Sequence, residues 1–146
     1  MDTIKLNRSQ IMEIIPHRDP MLLIDEVTAM IPGERIEASF YVSPDREIFK
    51  GHFPGEPVLP GVYTTEVMAQ ASDILLLSME RYAGTIPFFI GIDKVRFTAK
   101  IQPGDTIRVI SSIAAERPEK AIVTCRAEVY NNEMLACTGE VTLAMR

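Results

Sequence analysis

At 146 residues, with 47% hydrophobic and 24% charged side chains, the chain has the size of one globular domain and enough apolar content for a real core, which excludes a disordered protein. A formal net charge of −5 argues against general nucleic-acid binding, because neutralising phosphates needs a dominant basic surface. The N-terminus, Met1 to Arg8, lacks the apolar core of a signal peptide and runs such as Ile74 to Leu77 are far too short to span a bilayer, so a cytoplasmic protein without membrane insertion is expected.

Asn7 to Ile15 opens with polar cap candidates and places Ile11, Ile14 and Ile15 at helical spacing, so a short amphipathic helix ending at Pro16 is predicted. Leu22 to Met30 reads as a strand, and Pro32-Gly33 turns it into a second over Glu34 to Val42. There Ile36, Ala38, Phe40 and Val42 alternate with Arg35, Glu37, Ser39 and Tyr41. Residues 51 to 61, Gly-His-Phe-Pro-Gly-Glu-Pro-Val-Leu-Pro-Gly, hold three glycines and three prolines and predict a rigid, shaped loop. Val62 to Ala83 is free of both residues, has an apolar stripe wider than one face, and predicts a long buried helix closed by Gly84.

Four strands follow, Pro87 to Ile101, Thr106 to Glu116, Ala121 to Tyr130 and Met134 to Met145, joined by short turns. Val123, Cys125, Ala127 and Val129 form one apolar face, and Leu135, Cys137, Val141 and Leu143 form another. Bringing these odd-numbered sets together predicts a three-residue loop over Asn131, Asn132 and Glu133. Cys125 and Cys137 would then be diagonal core neighbours without metal or redox spacing. The fold class that results is α+β, with a curved antiparallel sheet wrapped around one long helix.

The chemistry gathers at the loop. His52 is one of two histidines and Glu66 reads as the isolated carboxylate of the long helix. If Gly61 opens that helix, the amides of Gly61 and Val62 point outward at its positive end and can polarise a carbonyl oxygen. A histidine base, a carboxyl with apolar neighbours and such a helix end suit proton removal next to a carbonyl, as elimination or as hydrolysis. The same residues admit a plainer role, His52 holding the loop by hydrogen bonds and Glu66 capping a solvent-facing turn. His17 reads as structural, with Arg18 and Asp19 as local partners.

Gly51-His52-Phe53-Pro54-Gly55, Pro60-Gly61-Val62 and Glu66-Val67-Met68-Ala69-Gln70 resemble the motif of the (3R)-hydroxyacyl-acyl-carrier-protein dehydratases of bacterial type II fatty-acid synthesis. The resemblance extends to Pro16-His17-Arg18-Asp19-Pro20-Met21-Leu22-Leu23-Ile24-Asp25, Gly91-Ile92-Asp93-Lys94-Val95-Arg96-Phe97 and Pro103-Gly104-Asp105, nearly the whole chain. It implies a hot-dog fold and a homodimer with two sites at its interface, commonly assembled as a trimer of dimers, with no metal or other cofactor. It also implies that His52 takes the C2 proton, that Glu66 of the other subunit helps the 3-hydroxyl leave as water, and that the amides of Gly61 and Val62 hold the thioester oxygen. Glutamate at position 66 resembles the dehydratase-only branch, whereas Asp19 and Met21 depart from the bulkier aromatics of the family motif and bear on the mouth of the site.

The implied partner is acyl carrier protein presenting the acyl chain on 4'-phosphopantetheine. Because that partner is acidic, docking needs a local basic patch, and on a strand from Ile92 to Ile101 the residues Lys94, Arg96 and Lys100 share one face. Phe88 and Phe89 are candidates to line an acyl tunnel, one of them in the core and the other in the tunnel. Two other functions remain for these residues, a hot-dog acyl thioesterase and a non-catalytic acyl-binding module.

Overall fold

The computed structural model describes residues 3–146. Seven antiparallel strands form one sheet: β1 Ile4–Leu6, β2 Glu26–Ile31, β3 Arg35–Tyr41, β4 Pro87–Phe97, β5 Thr106–Arg117, β6 Ile122–Asn131 and β7 Met134–Met145. Their order across the sheet is β1-β2-β3-β5-β6-β7-β4, which leaves β4 at one edge. Helix α1 spans Arg8–Ile14, helix α2 spans Gly61–Leu77, and single 3-10 turns lie at Glu47–Lys50, Glu80–Tyr82 and Pro118–Lys120. Among the described residues no helix is long and apolar enough to cross a membrane.

Helix α2 packs against β3, β5, β6, β7 and β4, five neighbouring strands. Laid flat, five strands would cover about 19 Å, whereas a helix is only about 10 Å across. The sheet therefore curls around the helix, which is the hot-dog arrangement. Of the helix's 17 residues only Gly61, Val62, Tyr63 and Glu66 escape full burial. The concave face supplies Ile36, Ala38 and Phe40 from β3, Val123, Cys125, Ala127 and Val129 from β6, and Cys137, Val141 and Leu143 from β7, all at 0% exposure. Each large apolar side chain buried this way contributes roughly 1.5–3 kcal/mol. Gly139 lets β7 close on its neighbours, because a β-carbon there would sit 2.6 Å from Val95 Cγ2 and 3.3 Å from Met68 Cε.

Several sequence expectations are met and several are corrected. Helix α1 forms where expected, closed by a reciprocal box in which the Gln10 amide donates to Asn7 Oδ1 at 2.9 Å and the Asn7 amide donates to Gln10 Oε1 at 2.8 Å. Leu22, Leu23 and Ile24 are buried as the apolar pattern suggests, yet they lie outside any strand, since the Leu23 amide is taken by the side chain of Gln70. Helix α2 stops at Leu77 instead of Ala83. The Ser78 hydroxyl and amide both turn back to Ile74 O, and Gly84, at φ +81°, follows the 3-10 turn.

The β6–β7 connection has two residues, Asn132 and Glu133, not three. The odd-numbered faces still meet, because a register shift between Val129 and Tyr130 adds the residue that the turn omits. Cys125 consequently pairs with Val141 and Cys137 with Val129, so the cysteines lie four residues apart in register, about 13 Å along the strand. The strand expected from Pro87 to Ile101 ends at Phe97 and carries two register shifts, with Lys94 at φ +54° inside the second. The alternation that would place Lys94, Arg96 and Lys100 on one strand face is therefore broken.

Candidate active site

The loop that carries His52 is held by its own backbone. Phe53 and Glu56 exchange amide-to-carbonyl bonds of 3.1 and 2.8 Å, the Val58 amide donates to His52 O at 2.9 Å, and the Leu59 amide donates to Ile101 O at 2.8 Å. His52 Nδ1 donates to Val58 O at 2.8 Å, which fixes the ring. Since a carbonyl only accepts, the neutral imidazole carries its proton on Nδ1 and leaves Nε2 with the basic lone pair. The loop-holding role and a basic role thus belong to different nitrogens of one ring.

His52 lines a cavity of about 510 Å³ together with Val58, Leu59, Gly61, Phe97 and Lys100. Gly61 is the first residue of α2, capped by Pro60, so the helix does open at Gly61. Among the described residues the amides of Gly61 and Val62 donate to no partner, as expected in a first helical turn. A β-carbon on Gly61 would lie 2.7 Å from Phe97 Cζ, so only glycine lets that ring close over the helix end. The Val62 side chain is 72% exposed.

Glu66 sits in the second turn of α2, half-buried, and does not line the cavity that holds His52. Burial pushes its carboxyl above the usual range, and a hydrogen bond from Gln70 Nε2 to Oε2 at 2.8 Å pulls the other way. A solvent-facing cap is therefore not its role. Gln70, fully buried, also donates to Met21 O at 2.9 Å and accepts from the Leu23 amide at 2.8 Å. All its bonding capacity but one acceptor position goes into tying Glu66 to the segment His17–Ile24. The sequence quotes Gln70 within a motif but assigns it no task; its spacing of four from Glu66 on a helix was the available signal.

Reading Glu66 as the lone carboxylate of the helix also passes over Asp73, 2% exposed on α2. His17 lies against it, with Nε2 3.6 Å from Asp73 Oδ2. The expected local partners of His17 are engaged elsewhere: Arg18 donates to the carbonyls of Met12, Ile15 and His17, and Asp19 pairs with Arg8 at 2.8 Å.

The remaining candidates scatter. Lys100 borders the His52 cavity and stands 3.9 Å from Glu56, while Lys94 lies 3.8 Å from Glu140 and Arg96 is exposed beside Thr138. Phe88 and Phe89 are absent from the cavity lining; Phe89 packs against the core and Phe88 is 53% exposed on the edge strand. Phe97, which the sequence offers only within a motif, is the aromatic that walls the cavity.

Comparison with known proteins bears on this arrangement. Residues 15–140 match the FabA-like domain. The 3-hydroxyacyl-acyl-carrier-protein dehydratase FabZ of Oenococcus oeni is 48% identical over 141 residues, covering 97% of this chain and 100% of that protein. Among solved structures, the dehydratase heterocomplex ApeI:P from Xenorhabdus doucetiae superposes with a TM-score of 0.77 at 18% identity, covering 93% of this chain and 90% of that one. A hypothetical thioesterase with coenzyme A from Streptococcus pneumoniae superposes with a TM-score of 0.61 at 10% identity, covering 82% and 84%. These structural likenesses carry the fold alone, which dehydratases and thioesterases share. The family rests on the sequence matches, and by them this chain belongs to the FabA-like family of 3-hydroxyacyl-acyl-carrier-protein dehydratases.

Proposed function

We propose that the protein removes water from a 3-hydroxyacyl chain carried on acyl carrier protein, giving the trans-2-enoyl thioester in fatty-acid elongation, at a site shared between two copies of the chain. The observation that carries this reading is the composition of the His52 cavity. One chain supplies a base with a free Nε2 lone pair and a helix-end amide, but no acid, because Glu66 faces elsewhere. An acid from a second copy completes the set. The edge strand β4 supports such pairing: among the described residues its outer edge has no partner strand, and Phe88, Ile90 and Ile92 project from it at 53, 54 and 55% exposure.

In this reading His52 Nε2 takes the C2 proton and the C–H electron pair moves toward the thioester carbonyl. The amides of Gly61 and Val62 donate to the developing oxyanion. As the pair returns to form the C2–C3 double bond, the C3–O bond breaks, and the carboxylic acid of Glu66 of the partner subunit delivers its proton so that water leaves. The raised carboxyl of Glu66 favours the protonated form this step needs.

Incubation with a 3-hydroxyacyl thioester, following enoyl absorbance and free thiol together, tests the proposal. Enoyl without thiol is expected. Thiol release would make the protein a thioesterase, and neither product a binding module. His52→Ala and Glu66→Gln should each lower kcat by about 10²- to 10⁴-fold. Mixed dimers of the two variants should recover part of the activity, and no recovery would refute the shared site.

A further inference from the structure

A second pair of titratable groups lies buried behind Glu66. Asp73 follows it by seven residues on α2, close to two turns and so on the same face, about 10 Å along the axis. Its Oδ2 stands 3.6 Å from His17 Nε2, a gap that a small side-chain rotation closes to hydrogen-bond length. The opposite atoms, Asp73 Oδ1 and His17 Nδ1, are buried and have no hydrogen-bond partner among the described residues. Among the described residues, neither side chain has a hydrogen bond to any other group, and the polar contact recorded for each is with the other. The titratable groups that face the pair are Glu66 on α2, Arg18 beside His17 and the Cys125 thiol on β6.

Burial pushes the Asp73 carboxyl well above the usual range, with the Glu66 charge adding in the same direction. Burial and Arg18 push the His17 imidazole down. Both shifts favour the uncharged forms. An ion pair here would place two charges in the interior with further lone pairs and protons unsatisfied, whereas a neutral acid facing a neutral imidazole avoids that desolvation.

The segment from His17 to Ile24 has no strand partners and meets α2 through polar side chains at two points. One is Gln70, which holds Met21 O and the Leu23 amide and spends its remaining donor on Glu66. The other is the His17–Asp73 contact. We propose that Asp73 is carried as the neutral acid, donates a hydrogen bond from its O–H to His17 Nε2, and thereby acts as a positioning residue that keeps this segment, Gln70 and the Glu66 carboxyl in register. This rests on Glu66 being the acid of the reaction.

The test compares wild type with D73N and D73L. An asparagine N–H replaces the acid's O–H as donor, so D73N should keep kcat within about twofold, while D73L should lose about tenfold or more in kcat with KM within about twofold. If D73N falls as far as D73L, or D73L matches wild type, the proposal is overturned.

Thermal unfolding across pH supplies a readout independent of turnover and of whether D73L folds. A carboxyl raised in the folded state contributes stability that is complete below its unfolded value, near pH 4, and is lost as pH rises through the folded value. The Tm advantage of D73N over wild type should therefore widen as pH rises above about 4. An ion pair would make it narrow, and narrowing overturns the proposal. Should wild type form no enoyl product, the dehydratase reading falls, and the Tm profiles still decide the state of Asp73.

Discussion

Replacing Gln70 by methionine removes three hydrogen bonds from the interior while nearly preserving volume. The Leu23 amide loses its partner at a residue that is 1% exposed and gains no water in exchange, whereas the Met21 carbonyl and the Glu66 carboxyl lose part-buried bonds. The unpaired Leu23 amide costs about 1–3 kcal/mol and each of the other two lost bonds about 0.5–1.5 kcal/mol, roughly 2–6 kcal/mol together, offset by about 1 kcal/mol from burying a thioether in place of an amide. Against a typical stability of about 5–15 kcal/mol, a net loss of about 1–5 kcal/mol is large. For a chain of this size it lowers Tm by about 3–15 °C. Calorimetry at fixed protein concentration measures it, since Tm depends on concentration in any protein that self-associates.

The same substitution has a defined electrostatic sign. The Gln70 N–H stabilises the charged form of Glu66 and so opposes the upward push of burial. Without it the carboxyl should hold its proton to higher pH, which a carboxyl-carbon NMR titration of Glu66 reads directly. A Tm within about 1 °C of wild type, or a Glu66 titration that moves toward acid, would refute the bridging role of Gln70.

Two further outcomes concern the cavity and its partner. Gly61→Ala places a β-carbon against the Phe97 ring, but Phe97 is 56% exposed and can yield, and alanine is the better helix former; stability should change by less than about 1 kcal/mol. The displaced ring should still cost about tenfold in kcat/KM, and unchanged kinetics would show that the contact does not shape the site. Swapping Lys94, Arg96 and Lys100 for glutamate should raise KM for carrier-bound substrate, most strongly at low salt, and spare a small pantetheine analogue. Equal loss on both substrates would exclude a docking role.

Much of this protein was legible in local pattern. The alternation in β3 fixed which residues face inward, and Ile36, Ala38, Phe40 and Val42 are all fully buried. The Asn7 cap, the opening of α2 at Gly61 and the rigid loop around His52 also follow from residue types and short spacings, because caps, turns and periodicity are set by neighbours in the chain.

What the sequence could not resolve depends on which distant group arrives. Leu22 to Ile24 reads as strand until the side chain of Gln70, 47 residues away, takes the Leu23 amide. The parity of the β6 and β7 faces demanded one extra residue, but whether it lies in the turn or in a bulge is decided by packing. The partner of His17 proved to be Asp73, not its neighbours, and the aromatic at the cavity proved to be Phe97, brought there by the bulged end of β4. The sequence by itself determined the family, the elements and the residues capable of chemistry, because those are properties of short segments. Only the tertiary structure decided how they meet: it turned Glu66 away from the His52 cavity of its own chain and tied it to Gln70, since contacts between segments depend on how the sheet curls around α2 and not on spacing along the chain.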